Sequence, residues 1–316
     1  MAKTAFNRTG ALSRVTVAAL TAALVATGTS AVAADNPGNT QGTQSTAAAV
    51  AADLAEAKKQ KAPVSGRSVA KASAAAEYRW LNGVSGGNVY DYAPNGTGGY
   101  DAREFVTDGW NAIKNAQQAD HDADGVIDGI WIWDSTGYLA HASEAGATNV
   151  GGGWNTFNKV MSPGNLGGAA SADLLARDSS GNLYLYLGYS NGKVAPRAKI
   201  GTGWNIYSQI AGVGDLTDDG KADIITADKS GVLWIHPGTG DYKKPFSARV
   251  KIGGGWNTFN NLVGVGDLDF DGRSDIVARD KAGALYRYSG TGITKAPFKP
   301  MVKIGTSGWN TYRLMF

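Results

Sequence analysis

The chain has 316 residues, three histidines and no cysteine, and its 30 basic residues nearly balance its 27 acidic ones. Without cysteine, disulfides, thiol catalysis and Cys-ligated zinc are excluded. The small net charge gives no case for a nucleic-acid partner.

The N-terminal segment has the pattern of a secretory signal peptide. Lys3, Arg8 and Arg14 precede or flank an apolar run, and Ala-Val-Ala at 31–33 provides a cleavage site, so residues 1–33 are predicted to be removed. We therefore expect a secreted, extracellular protein. No later segment is apolar enough to span a bilayer, so no membrane insertion is expected.

Residues 34–76 differ in composition from the rest of the chain. They are rich in Ala, Ser, Thr, Gln and Lys and contain almost no large apolar side chains. Such a segment cannot bury a core, and we interpret it as a low-complexity linker or pro-region.

A Gly-Trp-Asn motif then recurs five times at intervals of 44 to 53 residues. This spacing is typical of a propeller blade. After each motif come an acidic loop, a short apolar run, an Asp-x-x-Gly turn and an alternating run such as NLYLYLG. Short alternating runs between Gly and Asp predict strands and hairpins, four to a blade.

The two ends of the repeat region complement one another. Residues 77–108 hold the later strands of a unit, and residues 308–316 hold a first strand. Residues 77–316 therefore predict an all-β, five-bladed β-propeller of four-stranded blades, closed by pairing the C-terminal strand with the N-terminal partial blade. The other units begin near 109, 153, 203 and 255. Closure removes free sheet edges, and we expect a monomer.

The acidic loops follow the pattern D-x-D-x-D-G-x-x-D. Acids at alternate positions of a tight turn suit Ca²⁺, which takes six to eight oxygen ligands, and the Gly allows the bend. We expect about three structural Ca²⁺ ions, one in each loop that keeps most of its ligands. The predicted ligands are Asp120, Asp122, Asp124, Asp128, Asp215, Thr217, Asp219, Asp223, Asp267, Asp269, Asp271 and Asp275.

One sister loop lacks the acids. Asn165, Gly167 and Ala169 replace three of them and only Asp173 remains, so this loop is predicted to be free of metal. An EF-hand is rejected because it needs a Glu at position twelve, where Trp131, Thr226 and Ala278 stand, and flanking helices. Asp-rich turns without metal are the other alternative, and the recurrence of one spacing disfavours it.

No pattern indicates catalysis, and the protein is predicted not to be an enzyme. Residues 188–192 read GYSNG and match a nucleophile elbow around Ser190, but the helix that an elbow requires is not predicted there. His236 is expected on a strand, and His121 is expected to be exposed within an acidic loop.

The five Gly-Trp-Asn motifs have two interpretations. The Trp can pack between blades, or each motif can form a shallow sugar site in which the Trp stacks on the ring and the Asn binds hydroxyls. The candidate ligand-binding residues are Trp110, Asn111, Trp154, Asn155, Trp204, Asn205, Trp256, Asn257, Trp309 and Asn310. Trp131 and Trp133 lie on one strand face and form either blade packing or an exposed patch.

The runs VGDLTDDGKADIITADKSGVLWIHPGTG and VGDLDFDGRSDIVARDKAGALYRYSGTG resemble FG-GAP/VCBS repeats, which form calcium-binding propellers. The run KIGGGWNTFNNL is similar to a strand of the five-bladed tachylectin, a lectin for N-acetylated sugars. These resemblances imply a binding module. A lectin-like binder of extracellular polysaccharide is expected first, a protein-interaction or adhesion scaffold second, and an extracellular hydrolase or lyase only as a distant third.

Overall fold

The computed structural model describes residues 79–316, so the predicted signal peptide (1–33) and linker (34–76) lie outside the described residues. The described chain forms twenty β-strands and five single turns of 3₁₀ helix, with no α-helix among them. Across this same part of the chain, no helix has the length and apolar character needed to cross a membrane.

Each strand is short, as the alternating runs between Gly and Asp predict. The strands are β1 (Leu81–Ser85), β2 (Asn88–Tyr92), β3 (Glu104–Thr107), β4 (Ile113–Ala119), β5 (Gly129–Asp134), β6 (Leu139–Ser143), β7 (Gly146–Gly151), β8 (Phe157–Gly164), β9 (Asp173–Asp178), β10 (Leu183–Tyr186), β11 (Ala198–Gly201), β12 (Tyr207–Gly214), β13 (Asp223–Asp228), β14 (Leu233–His236), β15 (Val250–Gly253), β16 (Phe259–Gly266), β17 (Asp275–Asp280), β18 (Leu285–Tyr288), β19 (Val302–Gly305) and β20 (Leu314–Met315).

The strands form five antiparallel sheets of four. Their orders are β20-β1-β2-β3, β4-β5-β6-β7, β8-β9-β10-β11, β12-β13-β14-β15 and β16-β17-β18-β19. The predicted all-β, five-bladed propeller is therefore confirmed.

The ring closes where the C-terminal strand joins the N-terminal strands. In the β1–β20 pair, Gly83 faces Met315 and Val84 faces Leu314. Asn82 and Phe316 exchange two backbone hydrogen bonds of 2.8 and 3.1 Å. The predicted shared blade is thus confirmed, since the C-terminal strand β20 pairs with β1 in one sheet and closes the ring.

The first strand of each blade is the innermost. β4 contacts β8, β8 contacts β12, and β12 contacts β16. Glycine allows this approach, because a Cβ on Gly212 would lie 2.2 Å from the Ser162 carbonyl oxygen and one on Gly264 would lie 2.1 Å from the Gly212 carbonyl oxygen.

The apolar core lies between blades. One buried cluster joins Leu139 and Val150 of one blade to Trp154 and Phe157 at the start of the next.

Because neighbouring strands are antiparallel, the loops fall into two groups at opposite ends of the ring. The acidic loops between first and second strands share one end of the ring with the connections between third and fourth strands. The Asp-x-x-Gly turns and the Gly-Trp-Asn motifs share the other end.

Candidate functional site

Two of the acidic loops bring carboxylates together. Asp120, Asp122 and Asp128 form one group, and Asp267, Asp269 and Asp271 form another. Within each group one ligand oxygen per residue lies within 4.8 Å of the others. In the part of the chain that the structure describes, no third group of this kind occurs. The predicted ligands Asp124 and Asp275 lie in the same loops but outside these two groups.

The carboxyl group at the first position of each acidic loop accepts hydrogen bonds from the loop backbone. The Oδ2 atoms of Asp120, Asp215 and Asp267 accept the N–H of the Gly at position six at 2.9, 2.7 and 2.8 Å. That Gly has positive φ in all three loops, as the bend predicted from the sequence requires.

The Asp at position nine has a separate structural role in all four loops. Its Oδ2 accepts the N–H of position two, at 2.6 to 3.1 Å, in Asp128, Asp173, Asp223 and Asp275. In three loops its Oδ1 also accepts the N–H of a Gly that follows the third strand, namely Gly188, Gly238 or Gly290. Position nine therefore joins the loop to its own blade.

Burial shapes the titration of these aspartates. It raises the pKa of Asp173, Asp223 and Asp275 to about 7, against the smaller opposing effect of the backbone hydrogen bonds. Desolvation disfavours the ionised carboxyl. A bound cation would reverse that preference in the loops that hold several acids.

The equivalent loops at residues 215–223 and 165–173 differ from each other in their charge. The loop at 215–223 keeps the predicted ligands Asp215, Thr217, Asp219 and Asp223. Asp219 lies 3.6 Å from the ammonium of Lys221. In the loop predicted to be free of metal, the Oδ1 of Asn165 accepts the Gly168 N–H at 2.9 Å. An amide there replaces the first carboxylate and needs no counter-charge.

The donor set of the loop 267–275 fits a hard cation. Asp269 Oδ1 is buried and has no hydrogen-bond partner within residues 79–316. Lys299 lies 2.6 Å from Asp271, and Arg287 lies 3.5 Å from Asp269. These cations balance part of the charge, but the unpartnered buried oxygen beside two further carboxylates is the environment that Ca²⁺ takes.

The Gly-Trp-Asn motifs occupy the opposite end of the ring and join neighbouring blades. Each forms one turn of 3₁₀ helix after a left-handed Gly. The backbone N–H of each Trp donates to the carbonyl of the Gly in the Asp-x-x-Gly turn of the preceding blade, or to that of Gly87 at the equivalent turn, at 2.9 to 3.1 Å. An added Cβ on that Gly would meet the Asn of the motif. The motif is thus a blade-to-blade clamp.

The Trp rings pack inside the clamp. Trp110, Trp154 and Trp256 are buried, and Trp204 and Trp309 are partly exposed. Four rings lie 4.6 to 4.8 Å from an aromatic ring on the third strand of their own blade: Trp154 on Tyr186, Trp204 on His236, Trp256 on Tyr288 and Trp309 on Tyr92. Trp110 has Ala142 at that strand position and stacks on Phe316 instead, at 5.9 Å.

The Asn side chains behave differently from the Trp rings. Asn111, Asn155, Asn205, Asn257 and Asn310 are all exposed. Asn310 donates to the Lys281 carbonyl at 2.9 Å and accepts from Asn260. The other four side-chain amides have no hydrogen-bond partner among the described residues, so their polar groups face solvent.

Arginines that the sequence analysis did not single out support three of these turns. Arg177 donates to the carbonyls of Trp204 and Tyr207, and Arg279 donates to those of Trp309 and Tyr312. Arg313 binds the Trp110 and Ile113 carbonyls in the same way. The sequence feature that could have identified two of these arginines is the Ala-Arg-Asp run, which β9 and β17 share.

The structure tests the expectations for His121, for the pair Trp131 and Trp133, and for His236. His121 was expected to be exposed, which is wrong: it is 3% exposed, and its Nε2 lies 3.1 Å from that of His141. The apolar packing around it explains the burial, because its ring packs edge-on against Trp131 at 5.0 Å. Trp131 and Trp133 are also buried, so the packing interpretation holds for both. His236 lies on β14, as predicted.

The elbow-like segment lies in a tight turn between β10 and β11. Tyr189 and Lys193 are joined by a backbone hydrogen bond of 2.9 Å, and Gly188 pairs with Val194. The next element is strand β11, not the helix that a nucleophile elbow requires.

Comparisons with known proteins agree with the fold. The FG-GAP-like repeat family matches residues 215–278, which include the acidic loops at 215–223 and 267–275. The resemblance to this family is therefore shown for that segment. A search of curated proteins gives no match.

Solved structures to which the chain is similar include the BP39L lectin from Burkholderia pseudomallei, at 12% identity and TM-score 0.44, covering 72% of this chain and 69% of that one. A triple arginine-to-alanine mutant of AofleA from Arthrobotrys oligospora has 10% identity and TM-score 0.43, covering 77% of each chain. A protein of unknown function from Bacteroides caccae has 9% identity and TM-score 0.37, covering 72% and 73%. At these scores the likeness carries no argument about function.

Proposed function

We propose that the protein is a secreted binding module that recognises extracellular polysaccharide at its blade junctions and is stabilised by Ca²⁺. The observation that carries the proposal is the repeated motif at one end of the ring. Four exposed, unpartnered Asn amides lie there, each beside a Trp. Amide groups next to aromatic surface suit sugar hydroxyls and acetamides. No catalytic step is part of this proposal.

The junction at Trp204 is the best candidate among the five. Trp204 is only partly buried, Asn205 is exposed, and Ile206 beside them is 48% exposed. Where the Trp is buried, the Asn and the surrounding backbone are the groups left for a ligand. Several weak and similar sites on one ring would hold a polymer by avidity, since each further contact is intramolecular.

Calcium supports this function indirectly. The acidic loops lie at the end of the ring opposite the Gly-Trp-Asn motifs. The proposed ions at Asp120–Asp128, Asp215–Asp223 and Asp267–Asp275 would therefore stabilise the blades without touching the glycan.

A glycan array with the full chain tests the proposal, read with Ca²⁺ and with a chelator. We expect binding of polysaccharides, with a clear loss in Asn205→Ala and Asn257→Ala. These variants leave the Trp packing untouched. Asn191→Ala, an exposed Asn at the other end of the ring, serves as the matched control and should bind as the unchanged protein does.

A protein-interaction scaffold is the second candidate. Phe105 on β3 and Val302 on β19, both fourth strands, are 59% and 47% exposed, and Met301 beside Val302 is 53% exposed. Exposed apolar side chains on outer strands favour protein contacts. An array without glycan binding, combined with a pull-down whose partner is lost in Phe105→Ser, would replace the first proposal by this one.

A further inference from the structure

The innermost strands surround a polar cavity of about 210 Å³. Its walls come from β4, β8, β12 and β16 and from the last four residues of the chain. Amide side chains contribute much of the surface, including Asn115, Gln118 and Asn261. Four lining residues are cationic (Arg79, Lys159, Arg279 and Arg313), and none of the lining residues is acidic. The cavity is therefore electrostatically positive.

Two of these cations are fixed in place. Arg279 Nη1 donates to the carbonyl oxygens of Trp309 and Tyr312 at 2.9 and 2.7 Å. Arg313 Nη1 donates to the Ile113 carbonyl at 2.7 Å. Backbone carbonyls satisfy the N–H groups but do not neutralise the charges, so both guanidinium groups leave net positive charge beside the cavity.

Lys159 is the unusual member of the wall. The equivalent positions of three other blades hold the amides Asn115, Gln209 and Asn261. Gln209 Nε2 donates to the Phe259 carbonyl of the next blade at 2.8 Å. Lys159 makes no such bond, and no hydrogen-bond or ion-pair partner for it exists within residues 79–316.

Its environment makes an unpaired charge costly. Burial lowers the pKa of Lys159 to about 8, and the positive charge of Arg177, its partner in the β8–β9 register, lowers it further. Lys159 is half-buried and has Arg177 beside it, so an anion in the cavity would stabilise its ammonium more than a neutral group would.

We propose that this cavity is a binding site for a small oxyanion, a carboxylate or sulfate-like group, held by Lys159 together with Arg279 and Arg313. The amides in the wall add hydrogen-bond donors for the remaining oxygens. The volume admits one acidic sugar unit or a free inorganic ion. Neither the exposed Asn side chains of the Gly-Trp-Asn motifs nor the acidic loops line this cavity, so the site does not depend on the function proposed above.

Isothermal titration of the full chain with sodium sulfate and with sodium glucuronate, at matched ionic strength, tests the site. Glucose is the uncharged comparison. We expect both anions to bind and glucose not to bind in this cavity. Stronger binding of glucuronate would identify a sugar acid as the ligand, and stronger binding of sulfate would identify an inorganic ion. Affinity should fall as pH rises through the Lys159 pKa of about 8.

Lys159→Gln copies the residue type of the sister blades and should leave the fold intact. It is expected to weaken anion binding by about tenfold or more, because one charge-assisted contact is lost, and to remove the pH dependence. Lys251→Gln, at an exposed position on β15, is the matched control for charge and should bind normally. Equal affinity in Lys159→Gln and the unchanged chain, or no anion binding by the unchanged chain, would overturn the proposal.

Discussion

The loops at residues 165–173 and 267–275 connect the first two strands of their blades and share two hydrogen bonds of position nine, yet only the second carries acids at positions one, three and five. Asp173 and Asp275 each accept the N–H of position two, at 2.9 and 3.1 Å, and that of a Gly after the third strand. The loop shape therefore depends on position nine and on the backbone. The other acids of the second loop are an addition to this shared frame, and Lys299 and Arg287 balance part of their charge.

The difference between the two loops extends to a neighbouring side chain. In the acidic loop, Ser289 donates to Asp269 at 2.7 Å. Leu187 holds the equivalent place in the other blade, and a Cβ on Gly167 would lie 2.2 Å from its Cδ2 atom. An apolar side chain thus fills the space that a third-position acid needs. The shape of the loop and the presence of its acidic residues are therefore separable properties of one repeat.

The largest expected effect comes from removing what the two loops share. Asp173→Ala leaves the buried N–H groups of Leu166, Gly167 and Gly188 without an acceptor. We expect a loss of about 3 kcal/mol or more in the free energy of unfolding, measured by urea denaturation. Glu144→Ala, at an exposed site, should change it by less than about 0.5 kcal/mol. A loss below about 1 kcal/mol for Asp173→Ala would show that the metal-free loop does not depend on position nine.

Removal of calcium should affect the loop at 267–275 but not the loop at 165–173. When the free Ca²⁺ concentration is a hundred times the dissociation constant, each occupied site stabilises the folded chain by about 3 kcal/mol. A chelator should therefore lower the melting temperature. Hydrogen exchange should quicken at the amides of Asp271 and Gly272 and stay unchanged at Gly167 and Gly168. The variant Asp267→Asn/Asp269→Asn/Asp271→Asn should lose this site's share of the calcium effect. Equal acceleration in both loops would contradict a local role for the ion.

Transplanting the acids tests the role of Leu187. Asn165→Asp/Gly167→Asp/Ala169→Asp should destabilise the protein by about 1–3 kcal/mol, because the new side chain at 167 meets Leu187, and calcium titration should show no added site. Adding Leu187→Ser should relieve the clash and create one further calcium site. Calcium binding by the triple variant alone would show that Leu187 is no obstacle.

Much of this architecture could be predicted from the sequence, because the repeat exposes it. The spacing of the Trp residues and the incomplete unit at each end predict the blade number and the closure. The acids of the loop at 267–275 follow a spacing that identifies oxygen ligands. The burial of His121 was missed because its contacts with His141 and Trp131 come from other strands. The cationic cavity was missed because Lys159 and Arg313 are about 150 residues apart in the sequence and line one cavity only when the ring closes.

A smaller effect is expected in the pH dependence of the free energy of unfolding, to which the position-nine carboxyl group of Asp173 contributes. Burial raises the pKa of Asp173 to about 7 from its usual 3.8. Between those values the folded chain binds more protons than the unfolded chain, so this group makes the free energy of unfolding fall as pH rises. One group can contribute a slope of at most about 1.4 kcal/mol per pH unit. Asp173→Asn should remove this contribution, whereas Glu144→Gln should not. Parallel pH curves for Asp173→Asn and the unchanged chain would contradict the raised pKa.

The smallest effect is expected at position four, where both loops adopt left-handed backbone. Gly168 has φ 79° in one loop, and Phe270 has φ 57° in the other. Phe270→Gly removes a cost of about 1 kcal/mol for the left-handed backbone. It also stabilises the unfolded chain by a similar amount, because Gly raises its conformational entropy. The free energy of unfolding should therefore change by less than about 1 kcal/mol. Ala123→Gly, at φ 61° in the first acidic loop, should behave alike. A loss above about 2 kcal/mol in Phe270→Gly alone would mean that the 42% exposed Phe270 ring, and not the backbone, distinguishes the acidic loop here.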